Sequence, residues 1–187
     1  AALGAALGTS TAAGGARADD LPPPPCDGGG VGCLGVVDNL LSRCTGDLKG
    51  CVASQDDRPE VFEAPWVLPE LSTTSALARG QGAGQLADPT ADVTRPMAQL
   101  KRAVKQAGGV NIRIREEGRY LRAEFPVDVP FVGKDVDDLE WYFTQGDLTV
   151  QFRAERRTGR PDFGKNRQRL DEIRQNLGWE VLPVLRN

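Results

Sequence analysis

Hydrophobic and polar residues recur along this chain with two different periods, and the periods divide it into elements. From residue 95 onward the pattern is clearest. Met97, Leu100, Val104 and Ala107 recur at helical spacing, which puts one apolar stripe on a helix starting near Pro96. Gly108-Gly109 ends that helix, because glycine accepts the left-handed conformation just past a helix terminus. Four runs of period two follow. Val110, Ile112 and Ile114 alternate with Asn111, Arg113 and Arg115, and Leu121, Ala123 and Phe125 with Tyr120, Arg122 and Glu124. Leu139, Trp141 and Phe143 alternate with Glu140, Tyr142 and Thr144, and Leu148, Val150, Phe152 and Ala154 with Thr149, Gln151, Arg153 and Glu155. Such alternation collects the apolar residues on one sheet face. Glu116-Glu117-Gly118 and Gln145-Gly146-Asp147 supply the hairpin turns. A second helix is predicted over 165–177, with Leu170, Ile173 and Leu177 as its stripe and Gly178 as its stop. Trp179, Val181, Leu182, Val184 and Leu185 then form an apolar segment that packs back. Residues 95–187 are thus expected to form an α+β core: a two-layer domain, with a four-stranded antiparallel sheet packed on two helices.

The residues before this core read differently. Residues 1–25 are expected to be a targeting remnant or flexible tail, with Pro22 to Pro25 as a stiff polyproline spacer. Residues 26–70 form a cysteine-containing extension expected to pack on the core. Within it, Asp27 to Gly30 is a turn, and Leu34, Val37, Leu40 and Leu41 predict a short helix over 34–42. Three prolines forbid a continuous helix over 56–70, so this is an extended stretch anchored by Phe62 and Trp66. Residues 71–94, rich in Ser, Thr, Gly and Ala, read as a flexible loop.

Four cysteines, Cys26, Cys33, Cys44 and Cys51, cluster in the extension, and none occurs elsewhere. An even, clustered number points to two disulfides in an oxidising compartment, with three connectivities open. A zinc site is the competing reading, but no Cys-x(2–4)-Cys knuckle is present. Reduced thiols in a cytosolic protein are the third possibility. Ala16-Arg17-Ala18 before Asp19-Asp20 resembles a signal-peptidase cleavage site, which agrees with an oxidising destination.

Charge and composition narrow the chemistry. The chain has no histidine, which removes His-based acid/base catalysis, His-activated nucleophiles and His metal ligands. A net charge of -3 argues against nucleic-acid binding. That charge is uneven, with -7 over residues 1–94 and +4 over residues 95–187. No apolar run approaches the roughly 20 residues that span a bilayer. Asp135, Asp137, Asp138 and Glu140 read as an acidic turn without the spacing of a calcium loop. The basic run from Arg153 to Arg169 could meet an acidic protein surface or anionic lipid headgroups. No phosphate loop, nucleophile elbow or paired-carboxylate motif is found, so no catalytic residue, metal or cofactor is assigned. The polar sheet face is the candidate contact surface, through Arg113, Arg115, Tyr120, Arg122, Tyr142 and Arg153, together with Phe62 and Trp66 from the extension. The alternative is a carboxylate or phosphate ligand, or an enzymatic substrate, on the same arginines. Mutual Arg-Glu pairing on a solvated face is the simpler structural reading.

Gly50-Cys51-Val52-Ala53-Ser54-Gln55 resembles the opening motif of the family called domain of unknown function 1499. DDRPEVFEAPW, PMAQLKRAV, GRYLRAEF, DDLEWYF, TVQFRAERR and the closing NRQRLDEIR with its later GW are similar to plastid members of that family. The resemblance covers about residues 44–187, with Gly50 and Ala53 where bacterial members usually have Asn and Ser. The family has no established activity. The resemblance implies a thylakoid lumenal protein of green algae or plants. It also implies a partner, photosystem II, met from its lumenal side as an assembly, repair or stabilising factor.

Overall fold

In the computed structural model, residues 25–26, 33–45, 48–68, 92–145 and 149–183 are described. The two long helices lie where the apolar stripes place them, at α1 (Thr94–Gln106) and α2 (Lys165–Leu177). The strands are β1 (Val36–Val37), β2 (Leu40–Leu41), β3 (Cys51–Ala53), β4 (Trp66–Val67), β5 (Val110–Arg115), β6 (Tyr120–Val129), β7 (Gly133–Phe143), β8 (Thr149–Arg156) and β9 (Glu180–Val181). The predicted meander β5-β6-β7-β8 forms the centre of the sheet, all antiparallel. Among the described residues the sheet nevertheless has seven strands rather than four. β3 and β4 both pair with the outer edge of β8, and β9 pairs with β4. An uncovered β8 would present a row of unpaired backbone groups, and these short strands cover it. The stretch 26–70 therefore builds part of the sheet itself.

One face of the sheet makes the core. Leu121, Ala123, Leu139, Trp141, Phe143, Val150 and Phe152 pack there against Leu100 and Val104 of α1 and Leu170 and Ile173 of α2. Trp66, at 2% exposure, lies 4.9 Å from the Phe152 ring and 6.1 Å from Trp179, so the C-terminal aromatic does pack back. α2 is capped by Gly164, whose φ of 81° lies in the left-handed region that glycine adopts most readily. The first free amides of that helix are taken by the Asp162 carboxylate, which accepts from Gly164 N at 3.0 Å and Asn166 N at 2.7 Å.

Three local expectations change. The helix predicted over 34–42 is instead the β1–β2 hairpin, closed by Asp38 and Asn39 at φ 51° and 62°. Asp and Asn are among the few side chains that tolerate a left-handed two-residue turn. The acidic turn is the first half of β7, which starts at Gly133 and carries Asp135, Asp137 and Asp138 within the strand. β5 is interrupted by a bulge between Val110 and Arg113, with Asn111 at φ 49°, and this leaves Val110 and Ile114 exposed at the sheet edge. The polyproline spacer before Pro25, the turn at 27–30, the loop up to residue 91, the turn residues 146–147 and Val184-Leu185 lie outside the described residues.

Candidate functional site

The second face of the sheet is polar, and across β6, β7 and β8 it is largely buried. Strand register sets its residues in rows across β6, β7 and β8: Tyr120, Tyr142 and Gln151; Arg122, Glu140 and Arg153; Glu124, Asp138 and Glu155. Charges of opposite sign meet along and between these rows. Arg153 Nη1 donates to Glu140 Oε2 at 3.1 Å, and its Nη2 pairs with Glu155. Arg122 Nη2 lies 3.1 Å from Asp138 and 3.4 Å from Glu124. Arg157 adds donors to Asp138 at 2.8 and 2.7 Å. Glu140 is fully buried and also accepts from Tyr120 Oη at 2.7 Å. Burial pushes its carboxyl above the ordinary range, against the pull of Arg153, Tyr120 and the Gly35 amide. Burial acts in the same sense on Glu124, but there the Asn111 amide and the Arg157 and Arg122 cations win, and its carboxyl is held low.

The β1–β2 hairpin and its flanks form the lid on this face. Gly35 N donates to Glu140 Oε1 at 2.6 Å, and Arg153 Nη1 reaches the Cys33 carbonyl at 3.3 Å. Thr45 donates to Glu155 through its amide at 3.1 Å and its hydroxyl at 2.6 Å. Tyr142 Oη donates to Asn39 Oδ1 at 2.9 Å, and Leu41 packs on Tyr120 and Tyr142. The lid's polar contacts thus add to hydrogen bonding that the ladder residues already share, and its Leu41 covers the two tyrosines. Where the lid ends, a cleft of about 240 Å³ opens between Leu34, Thr45, Asp138, Arg153, Glu155 and Arg157. Among the described residues no group of three or more Cys, Asp or Glu is placed to hold a metal ion.

Two disulfides flank the lid: Cys26–Cys33 closes a loop in the segment before it, and Cys44–Cys51 fastens its C-terminal end. The second ties the lid to the first residue of β3. Each closes a loop of seven residues' separation, a constraint worth about 2 kcal/mol. Replacing Cys44 and Cys51 together by serine is therefore expected to lower stability by about 2 kcal/mol in urea titration. Hydrogen exchange should accelerate at Gly35 and Thr45 while the Leu139 and Phe152 amides stay protected.

A second clamp sits behind Cys44. Asp56 is fully buried and accepts from Arg58 Nε at 2.8 Å, Arg58 Nη2 at 2.5 Å and Cys44 N at 3.2 Å. The Arg58 hydrogen bond holds the Asp56 carboxyl down at about 2, below its ordinary 3.8, against the effect of burial. A carboxyl depressed in the folded state stabilises fully above its unfolded value and loses that contribution as pH falls through the folded one. Urea titrations of the wild type and Asp56→Asn should therefore differ by roughly 1–2 kcal/mol at neutral pH, Arg58 being partly solvated. That gap should close between about pH 4 and pH 2.

The six polar residues predicted to share a face do share it, but at different depths. Arg113 and Arg115 are exposed on edge strand β5, whereas Tyr120, Arg122, Tyr142 and Arg153 are 2–3% exposed beneath the lid. Trp66 lies in the core, and Phe62 is half-buried where it bridges to Ala53. None of the buried five presents more than about 3% of its surface to a partner. The outer side of the lid offers what the inner face does not. Val37 and Leu40 are 45% and 55% exposed beside a shallow hollow of about 340 Å³, lined also by Leu41, Ser42, Cys44 and Gln55. Reading 34–42 as a helix hid this surface, and Asp38-Asn39 between two aliphatic pairs was the hairpin signal that could have found it.

Residues 41–177 match the model of a family described as protein of unknown function (DUF1499). No curated protein and no solved structure matches the chain.

Proposed function

The chain belongs to the DUF1499 family, and from that footing we propose that it is a non-enzymatic docking protein whose contact surface is the outer side of the disulfide-fastened lid. The observation that carries this reading is the contrast between the two sides of one short hairpin. Its inner side is spent on fixed hydrogen bonds to Glu140, Glu155 and Tyr142, while its outer side holds Val37 and Leu40 out in solvent. A two-stranded hairpin this small has no stability of its own. Anchoring it through the Cys44–Cys51 disulfide and a buried charge ladder makes a rigid apolar protrusion, which lowers the ordering cost of binding.

The setting we propose is the thylakoid lumen, with photosystem II as the partner, approached from its lumenal side. Two disulfides and a protein read as peripheral support that setting, and among the described residues no helix is long and apolar enough to cross a membrane. A ligand role for the arginine face is less well supported. An incoming carboxylate or phosphate would have to displace Glu140, Asp138 or Glu155 from arginines already committed to them.

The test is co-migration with a photosystem on native gels of solubilised thylakoids. The wild type should run with photosystem II, and Val37→Asp/Leu40→Asp should run as free protein with both disulfides intact. Free wild-type monomer would count against docking. Co-migration of the double variant would move the contact elsewhere.

A further inference from the structure

The end of the sheet remote from the β1–β2 turn carries a different surface. β7 starts from the β6–β7 hairpin, and β8 leaves the sheet at Arg156, opposite Asp137. The hairpin therefore continues past the last β8 residue by Asp135-Val136 and the tip, about 10 Å or more at strand rise. Its tip, Pro130-Phe131-Val132, holds Phe131 fully exposed and Val132 48% exposed. The segment after β8 comes to the same end, since Asp162 N meets the Lys49 carbonyl at 3.3 Å just before β3, and Arg156 Nη1 meets the Pro161 carbonyl at 2.9 Å. That segment raises a second ring, Phe163, 90% exposed. Both phenylalanines sit at positive φ, 64° and 54°. Neither solvent contact nor backbone preference explains a large apolar ring in a conformation that suits Asn or Gly.

The charges around the rings are mainly positive. Among exposed residues of 126–134 and 158–165, Lys134 is paired with Asp128 near Phe131, and Arg160 and Lys165 beside Phe163 make up the excess. Asp162, between the rings' loops, is buried as the cap of α2. We propose that this end is a second contact surface, independent of the lid, that rests on an anionic lipid bilayer. Phe131 and Phe163 enter the interface, and Arg160 and Lys165 lie at headgroup level. Two protruding rings on separate loops suit a soft surface. Aromatic rings with adjacent cations match the chemistry of interfacial binding, with apolar groups reaching roughly 5–10 Å into the headgroup boundary.

Vesicle cosedimentation of the full chain tests this. The wild type should sediment with phosphatidylcholine vesicles containing phosphatidylglycerol, bind pure phosphatidylcholine far more weakly, and be released by salt. Phe131→Asn and Phe163→Asn, which relieve the left-handed backbone and so keep the fold, should each weaken binding by about tenfold. Arg160→Glu/Lys165→Glu should remove the preference for anionic vesicles. Equal binding to neutral and anionic vesicles, no binding to either, or unchanged binding by the two Phe variants would overturn the proposal. So would a wild-type dimer in gel filtration that both Phe variants abolish, because the rings would then serve a second copy of the chain.

Discussion

Replacing Glu140 by alanine is expected to lower the stability of the fold by about 3–5 kcal/mol, read as a shift of the urea midpoint. Glu140 is fully buried at the centre of the ladder, and its two oxygens serve three donors: Gly35 N, Tyr120 Oη and Arg153 Nη1. Alanine leaves a buried guanidinium short of a partner and removes the acceptor used by the Gly35 amide and the Tyr120 hydroxyl. Arg153 keeps Glu155, which limits the loss. Glu140→Gln should cost less than alanine, because it keeps an acceptor of the same shape and burial already disfavours the charged form of this carboxyl. The variant has a second readout. Since the lid hangs on Gly35, Glu140→Ala should also speed exchange at the lid amides, which a core cavity elsewhere would not do.

Asp137→Ala is expected to be as severe, about 3–5 kcal/mol, but at the opposite face and end. Alternation sends Asp137 to the helix side, where it is fully buried between two arginines. Arg156 Nε donates to it at 2.8 Å, and Arg169 Nη1 of α2 at 3.0 Å. Arg169 also stacks 4.7 Å over the Phe125 ring. Removing the carboxylate takes the shared counter-ion from two cations, Arg156 buried and Arg169 mostly so. Exchange protection should fall at Lys165 to Leu170 and not at Gly35. Replacing all three charges with methionine or leucine should recover most of the loss, because the penalty lies in the unpaired cations and not in missing volume.

The two faces of β7 also explain what could be read from the chain. Strict alternation over runs of six to eight residues marked the meander, and helical spacing marked both helices, because burial of one face leaves a periodic trace. β3, β4 and β9 span two or three residues each, too few for a period, and they exist because β8 needs cover on its outer edge. Leu34, Val37, Leu40 and Leu41 satisfy a helical spacing and a hairpin equally well, and the Asp38-Asn39 turn decides between them. The shared face of Tyr120, Arg122, Tyr142 and Arg153 was legible for the same reason as the core. Its burial was not, because a row of polar side chains reads as solvent-facing unless something covers it. The trace of a cover lay in the partners: Arg122 and Arg153 both flank Glu140, and Glu124 and Glu155 both flank Asp138, an arrangement that completes its own charges. Phe131 and Phe163 lie outside any period, so only the three-dimensional structure brings them to one end.

The central claim is that the lid's outer surface meets a larger partner while its inner surface is locked to the ladder. Its most direct test is a photocrosslinking residue at Leu40, irradiated in native thylakoid membranes, with products identified by mass spectrometry. The account predicts a crosslink to a lumen-exposed subunit of photosystem II, abolished by Val37→Asp. Crosslinks confined to copies of the same chain, or none at all from protein with both disulfides formed, would contradict it.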